Sequence, residues 1–460
     1  MVFEPAGDPL IAVQFSTFKK KTLSEELSGS VRRQPFSLFL LVECRGEAVA
    51  GGVQEKPDGA SPVEESTADE WFEKWKEVPM NKIVQNVWER KKEIQLTDGF
   101  QELGDGRKAA KISAQTIAQV VWERVPRGQS SLWQVDQESR EEEVRGWHGS
   151  LRRQVVSDGT LFRALGSFRL AAVHEGLWKV ARKRWEALGK QLELPSGEKR
   201  RIGVVDGSGW GGFQGSVLAL LGREADVVAG YRMSPGKGHE LATSRALLEE
   251  AAQELGRGFV DLVLEDGLYM TEEDFRRAAA EHGQRLLVKT SEERLTVMQD
   301  TRAVLFGFSS AYEGELEKVS GVDEERMVEY EVQAAIFLRH GLRLKVAHVK
   351  ERHLEPRAGR PPESSFWVVS NDLNLSAQDM RVCAHLRWRI ENGIFRRLSH
   401  VVDSKRRLTQ DAHVREALLG LWFIGLNLLA EFLTQVKSQW LDPSWRALKK
   451  TWRWFGRLFK

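Results

Sequence analysis

Three acidic residues, Asp206, Asp266 and Glu391, stand where a fold could bring their carboxylates together. Asp206 follows Val204-Val205, Asp266 ends the run Leu262-Val263-Leu264-Glu265, and each aspartate is followed by glycine. A glycine there leaves room for a backbone or a phosphate to come close. Taken singly, an Asp-Gly pair after a strand also reads as an ordinary turn. Glu391 belongs to a helical pattern that begins at Ser376. At about 100° per residue, Met380, Cys383, Ala384, Ile390, Ile394, Phe395 and Leu398 gather on one face, with Arg381, His385, Arg389, Asn392 and Arg396 on the other. Arg387 and Glu391 fall near the middle of the apolar face, four residues apart. Charges in that position are costly unless paired or bound to a metal. A buried i, i+4 ion pair is the plain alternative, but two strand-end aspartates already want a third oxygen ligand. Three convergent carboxylates suit Mg²⁺, a hard cation that keeps some waters for exchange with phosphate. Two such ions could bracket a phosphodiester, which is phosphoryl-transfer chemistry.

The surrounding elements have to place these acids. Arg201 to Val205 reads as a strand, and Ser216–Leu221 with Asp226–Tyr231 as a hairpin joined through Gly222-Arg223-Glu224. A helix follows, with Leu241, Leu247, Leu248, Ala251, Ala252 and Leu255 on one face and Gly256 as its stop. Val260–Leu264 is a buried-type strand. A short helix from Glu272 and a strand at Leu286–Lys289 come next. Periodicity alone makes this an α/β layer. Between about 291 and 370 the pattern is strand-like again, at Met327–Phe337, Leu342–His348 and Phe366–Val369, and predicts a β-rich insertion before the third acid. Helices over about Ser376–Val402 and His413–Leu433 close the core.

A chain of 460 residues has room for two or three domains. Its 68 basic and 66 acidic side chains leave a net charge of +2, so any nucleic-acid surface must be local. Cys44 and Cys383 form neither a disulfide framework nor a zinc spacing. No apolar run approaches the roughly 18 residues that span a bilayer. The expectation is a cytoplasmic protein without a membrane partner. Residues 1–70 read as a poorly structured extension and linker, with Pro57, Pro62 and Gly59 among acids. Residues 71–198 read as mainly helical, 199–435 as the catalytic core, and 436–460 as a basic aromatic tail.

In its motifs the chain resembles the DDE transposases of bacterial insertion sequences, from about Val155 to Leu433. The pieces are Val204-Val205-Asp206-Gly207-Ser208, Leu262 to Tyr269, and Leu386-Arg387-Trp388-Arg389-Ile390-Glu391-Asn392. The last is similar to the core of the subgroup signature Tyr-x2-Arg-x3-Glu-x6-Lys, and Phe366 to Asn371 looks like the strand before it. Asp206 and Asp266 are 60 residues apart, and Asp266 and Glu391 are 125 apart, which suits an insertion before the third acid. The resemblance implies an RNase H-like core, Mg²⁺ or Mn²⁺ held by Asp206, Asp266 and Glu391, cleavage at transposon ends and strand transfer into target DNA. It gives Arg387 a DNA-phosphate contact, and leaves oligomeric state open, with a homodimer assembled on DNA as one arrangement. Two positions depart from the signature: Ala384 stands for the Tyr and Leu398 for the Lys, which puts the handling of the DNA end in doubt rather than metal binding.

Val156 to Leu165 reads as a helix start capped by Ser157 or Asp158, with Arg152, Arg153 and Arg163 around it. The resemblance suggests an end-binding helix-turn-helix; a capped surface helix with solvated arginines explains the pattern equally well. In the tail, Trp445, Leu448, Trp452, Phe455 and Phe459 share a stripe flanked by Arg446, Lys449, Lys450, Arg453, Arg457 and Lys460. A basic amphipathic helix of this kind suits a membrane surface, another protein surface or DNA phosphates, and a helix packed on its own core with solvated lysines explains it equally well. The expectation is docking on the protein with DNA phosphates on the basic face. Two rivals to a transposase stay open: a transposase-derived DNA-binding protein that no longer cuts, and a metal-dependent nuclease without strand transfer.

Overall fold

The computed structural model describes residues 103–127, 132–140, 155–210, 213–236, 238–291, 299, 301–303, 313–355, 361–402 and 409–439. All belong to one compact unit spanning Lys76–Lys460. Arg152, Arg153, Cys44, the extension over 1–70 and the tail from Ser444 lie outside the described residues.

The sheet is built on apolar runs that demand cover on both faces. Its strands are β3 (Ile202–Trp210), β4 (Phe213–Leu221), β5 (Val227–Ser234), β6 (Leu262–Asp266), β7 (Arg285–Thr290), β8 (Glu313–Asp323), β9 (Val328–Arg339), β10 (Leu342–His353) and β11 (Glu363–Ser370). They lie in the order β5-β4-β3-β6-β7-β11-β10-β9-β8, after a small hairpin of β1 (Leu192–Glu193) and β2 (Lys199–Arg200). Only β3, β6 and β7 run parallel; the other pairings are antiparallel.

Side chains alternate across the sheet, so two cores form. Val205, Val263 and Val288 point toward α5 (Glu240–Leu255) and α6 (Glu272–Ala280), where Leu247, Ala251 and Phe275 meet them. Val204, Leu264 and Leu287 point the other way, into a core shared with α7 (Ala377–Leu386) and the long α9 (Ala412–Gln439). Helices α1 (Ala114–Arg127), α2 (Leu132–Arg140), α3 (Asp158–Leu165) and α4 (Leu170–Ala187) precede the sheet and feed the same second core through Ile117, Val121, Leu161 and Val173. The edge strand β5 is finished by Asn427 of α9, whose side chain accepts from Val228 N at 2.7 Å and donates to Val228 O at 2.8 Å.

Several expectations meet the structure with changes. The strand expected to stop at Val205 continues to Trp210, because β4 goes on pairing with it past Asp206 after the parallel pairing to β6 has ended at Val204↔Leu264. Gly256 does stop α5, at φ +91°. The β-rich segment is a continuation of the sheet, joined to β7 through β11. Its first strand, β8, was not expected; its glycines and charges carry no strand alternation, and it lies at the sheet edge, where charge is tolerated.

Candidate active site

Asp206 and Asp266 are brought together by register. Parallel pairing of Val204 with Leu264 puts the two aspartates at one level of adjacent strands, and Asp266 pairs in turn with Lys289 on β7. Positions 206, 266 and 289 therefore form a row on the face covered by α7. Each aspartate accepts from the backbone N–H of its following glycine, at 2.9 Å for Gly207 and 2.8 Å for Gly267. The space those glycines leave is filled by protein: a Cβ at Gly267 would stand 2.7 Å from Thr290 Oγ1, and one at Gly207 would overlap the Glu240 carboxylate.

Glu391 arrives from above. Ser376 caps α7 in a capping box with Asp379, and the helical run continues beyond Leu386 into a π turn, Ile390–Phe395, then α8 (Arg396–Val402). Glu391 sits on that π turn, a distortion often found at functional sites. Arg389 fastens the turn to the β4–β5 connection through Asp226, at 2.5 and 3.0 Å, and Gly222 O at 3.0 Å. The buried Arg387 spans two of the acids: its Nη1 is 3.1 Å from Asp206 Oδ2 and 3.3 Å from Glu391 Oε1. Burial pushes the Asp206 carboxyl up to about 7; Arg387 opposes the shift, and the charges of Glu391 and Asp266 add to it.

The helical face assigned to polar residues is not wholly solvated. Arg381 is 2% exposed and donates to Glu351 on β10 at 2.8 Å and Asp323 on β8 at 2.9 Å, with its guanidinium 4.1 Å from the Tyr330 ring centre. His385 Nε2 lies 2.7 Å from the same Glu351 oxygen. At the start of α7, Ala377 N donates to Glu317 on β8 at 2.9 Å. The strands of the insertion thus hold the helix that carries Arg387 toward the acids. For Glu351, burial alone would raise the carboxyl; His385 and Arg381 outweigh it and hold the group at about 2.

Lys289 escaped the sequence reading. A lysine closing a strand has no signal of its own; only the β6–β7 register reveals its place beside Asp266. Of the other expected residues, Arg163 lies exposed on α3, which Ser157 caps by accepting from Thr160 N. The helix after it, α4, is a core helix in which Leu177, Trp178 and Trp185 are buried. Ala384 and Leu398, the two departures from the signature, are fully buried in the apolar core.

Carboxylate oxygens on one face of a sheet, with one carboxyl raised chiefly by burial and further by its acidic neighbours, are the donor chemistry that suits a hard divalent cation. As they stand, no three acidic, histidine or cysteine side chains among the described residues are grouped closely enough to enclose an ion, because Arg387 lies between Asp206 and Glu391. A transposase DDE domain family model matches residues 151–428, more than half of the chain and all three acids. The chain therefore belongs to the transposase DDE domain family, a membership that supports a transposase function. No curated protein matches it. Among the described residues, no helix is long and apolar enough to cross a membrane.

Proposed function

We propose that the chain is a metal-dependent DNA transposase with an RNase H-like core, in which Asp206, Asp266 and Glu391 are the catalytic carboxylates. The observation that carries this reading is the alignment of Asp206 and Asp266 on neighbouring parallel strands, with Arg387 tying Glu391 to the first of them. The sheet order β5-β4-β3-β6-β7, with β3, β6 and β7 parallel, supports the RNase H-like assignment. The three acids would hold Mg²⁺ or Mn²⁺. When bound, such an ion supplies Lewis-acid polarisation of a phosphodiester and neutralises developing charge. Of the chain's own groups, Asp206 would hold the ion in its ionised form, and Arg387, which pairs with Asp206 and Glu391, carries a guanidinium whose geometry also suits phosphate. Arg387 before Glu391 supports the Tyr-x2-Arg-x3-Glu-x6-Lys subgroup. Exposed Arg163, with Arg152 and Arg153, would contact the transposon end, and target DNA would meet the same acids.

A second reading, a metal-dependent nuclease without strand transfer, is favoured by Ala384 and Leu398. Both are buried in apolar surroundings, where the signature's Tyr and Lys would help hold the DNA end. The test is cleavage and strand transfer on duplexes bearing the inverted repeats that bracket the gene, with Mg²⁺. The wild type is expected to do both, and Asp206→Asn, Asp266→Asn and Glu391→Gln neither, while still binding the duplex. Cleavage without joining would select the nuclease; binding without cleavage by the wild type would select a DNA-binding derivative.

A further inference from the structure

The acid site contains two cations, and they are in different situations. Arg387 is engaged by Asp206 and Glu391. Lys289 forms no hydrogen bond or ion pair among the described residues; its Nζ lies 3.9 Å from the centre of the Phe366 ring and 5.9 Å from that of Trp388. Its strand position is nonetheless in register with Asp266, one strand away from that acid and two from Asp206. Adjacent strands are about 4.8 Å apart, so the lysine stem starts within a side chain's length of Asp266, with Asp206 one strand further along the same row. Trp388 is 44% exposed, Asp266 is exposed and Lys289 is half-buried, so this end of the row lies near the surface.

A half-buried ammonium held against aromatic faces, with no carboxylate in hydrogen-bond contact among the described residues, is expensive to keep. Burial first, and then the nearby Arg387 charge, lower the Lys289 ammonium to about 8 against the attraction of Glu351 and Asp266, so at neutral pH it is still mostly charged. Cation–π attraction returns part of that cost and fixes where the ammonium points. A charge pre-oriented in this way, beside acids that act on a phosphodiester, is completed by an anionic oxygen of the substrate.

We propose that Lys289 is a substrate-contacting residue of the acid site, its ammonium taking a non-bridging oxygen of the DNA phosphodiester that the carboxylates act on. This rests on the reading of Asp206, Asp266 and Glu391 as catalytic. It separates the tasks of the two cations: Arg387 compensates the acids in the free protein, and Lys289 waits for DNA.

Lys289→Met tests this cleanly, because methionine keeps an apolar stem on Phe366 and removes only the charge. Lys289→Arg restores a cation. The full-length chain and both variants are titrated with a short mixed-sequence DNA duplex in EDTA, across a range of NaCl concentrations. Each phosphate contact contributes about 0.9 to the slope of log affinity against log salt. Lys289→Met is expected to lose about one unit of slope and Lys289→Arg to keep it, with the melting temperature of Lys289→Met at or above that of the wild type, since an unpaired charge has left the interior. With Mg²⁺, removal of one such donor should lower cleavage on the order of 100-fold. A slope unchanged in Lys289→Met overturns the proposal, whatever its stability. Mg²⁺-dependent cleavage by the wild type and its loss in Asp206→Asn are measured alongside. The catalytic reading stands or falls on those two results, independently of the lysine.

Discussion

Arg387 places a positive charge between two of the acids. Its guanidinium is buried between Asp206 and Glu391, and its Nε has no hydrogen-bond partner among the described residues. Removing it leaves a buried carboxylate uncompensated, a loss of about 3 kcal/mol for a broken buried pair. Arg387→Ala should therefore melt earlier in EDTA and recover part of the difference in Mg²⁺; equal melting with and without the ion would leave Arg387 a purely structural partner. Asp206 adds a pH signature. Its carboxyl rises from 3.8 to about 7 on folding, so the folded chain holds that proton more tightly than the unfolded chain. The resulting stabilisation is complete below about pH 4 and is lost as pH climbs to about 7. Asp206→Asn cannot lose it, so without divalent ions the variant should gain on the wild type in denaturant midpoint between those two pH values. A constant gap would mean that Asp206 is ionised throughout. The acids were legible because strand-end positions and a charged pair on an apolar helix face are conspicuous in sequence. Lys289 was not, since its role depends on which strands are neighbours.

The third acid depends on how α7 is held. Arg381, Glu351 and His385 form a buried junction between that helix and β10, with Asp323 of β8 as a further anchor. Helical periodicity placed Arg381 and His385 on a polar face, and it could not tell that strands would cover that face. It also could not register the π turn at Ile390–Phe395, which breaks the 3.6-residue period where Glu391 sits. Glu351→Gln leaves the nearly inaccessible Arg381 short of charge, for a destabilisation of about 3 kcal/mol. It should also slow cleavage by loosening Arg387 and Glu391. Because Glu351 is held at about 2, its contribution is present above pH 4.5 and disappears as pH falls toward 2. The wild type and Glu351→Gln should accordingly converge in stability in acid, as followed by denaturant midpoints at pH 7, 4 and 2.5. Midpoints that stay apart throughout would remove the ion pairs from the account.

On the scale of the whole molecule, nine strands of the described residues form one continuous sheet, with the hydrophobic cores on its two faces running along it. The α/β order over 201–290 was readable because its apolar runs are long and its helix is stopped by Gly256. That β11 would dock on β7 and extend the sheet was not, because pairing between distant strands leaves no local trace. Helices α3 and α4, expected in a separate end-binding region, contribute Leu161, Val173 and Leu177 to the core that lies behind Asp206. That architecture brings three carboxylates from β3, β6 and the π turn to one side of the sheet, where they are proposed to share one divalent cation. Mn²⁺ binding to the full chain, followed by the electron paramagnetic resonance of the free ion at pH 8, tests this without requiring a DNA substrate. The wild type should bind Mn²⁺, with Asp206→Asn, Asp266→Asn and Glu391→Gln each weakening it on the order of tenfold or more, as expected for loss of a ligand. Variants that bind Mn²⁺ as tightly as the wild type would show that the acids do not share an ion.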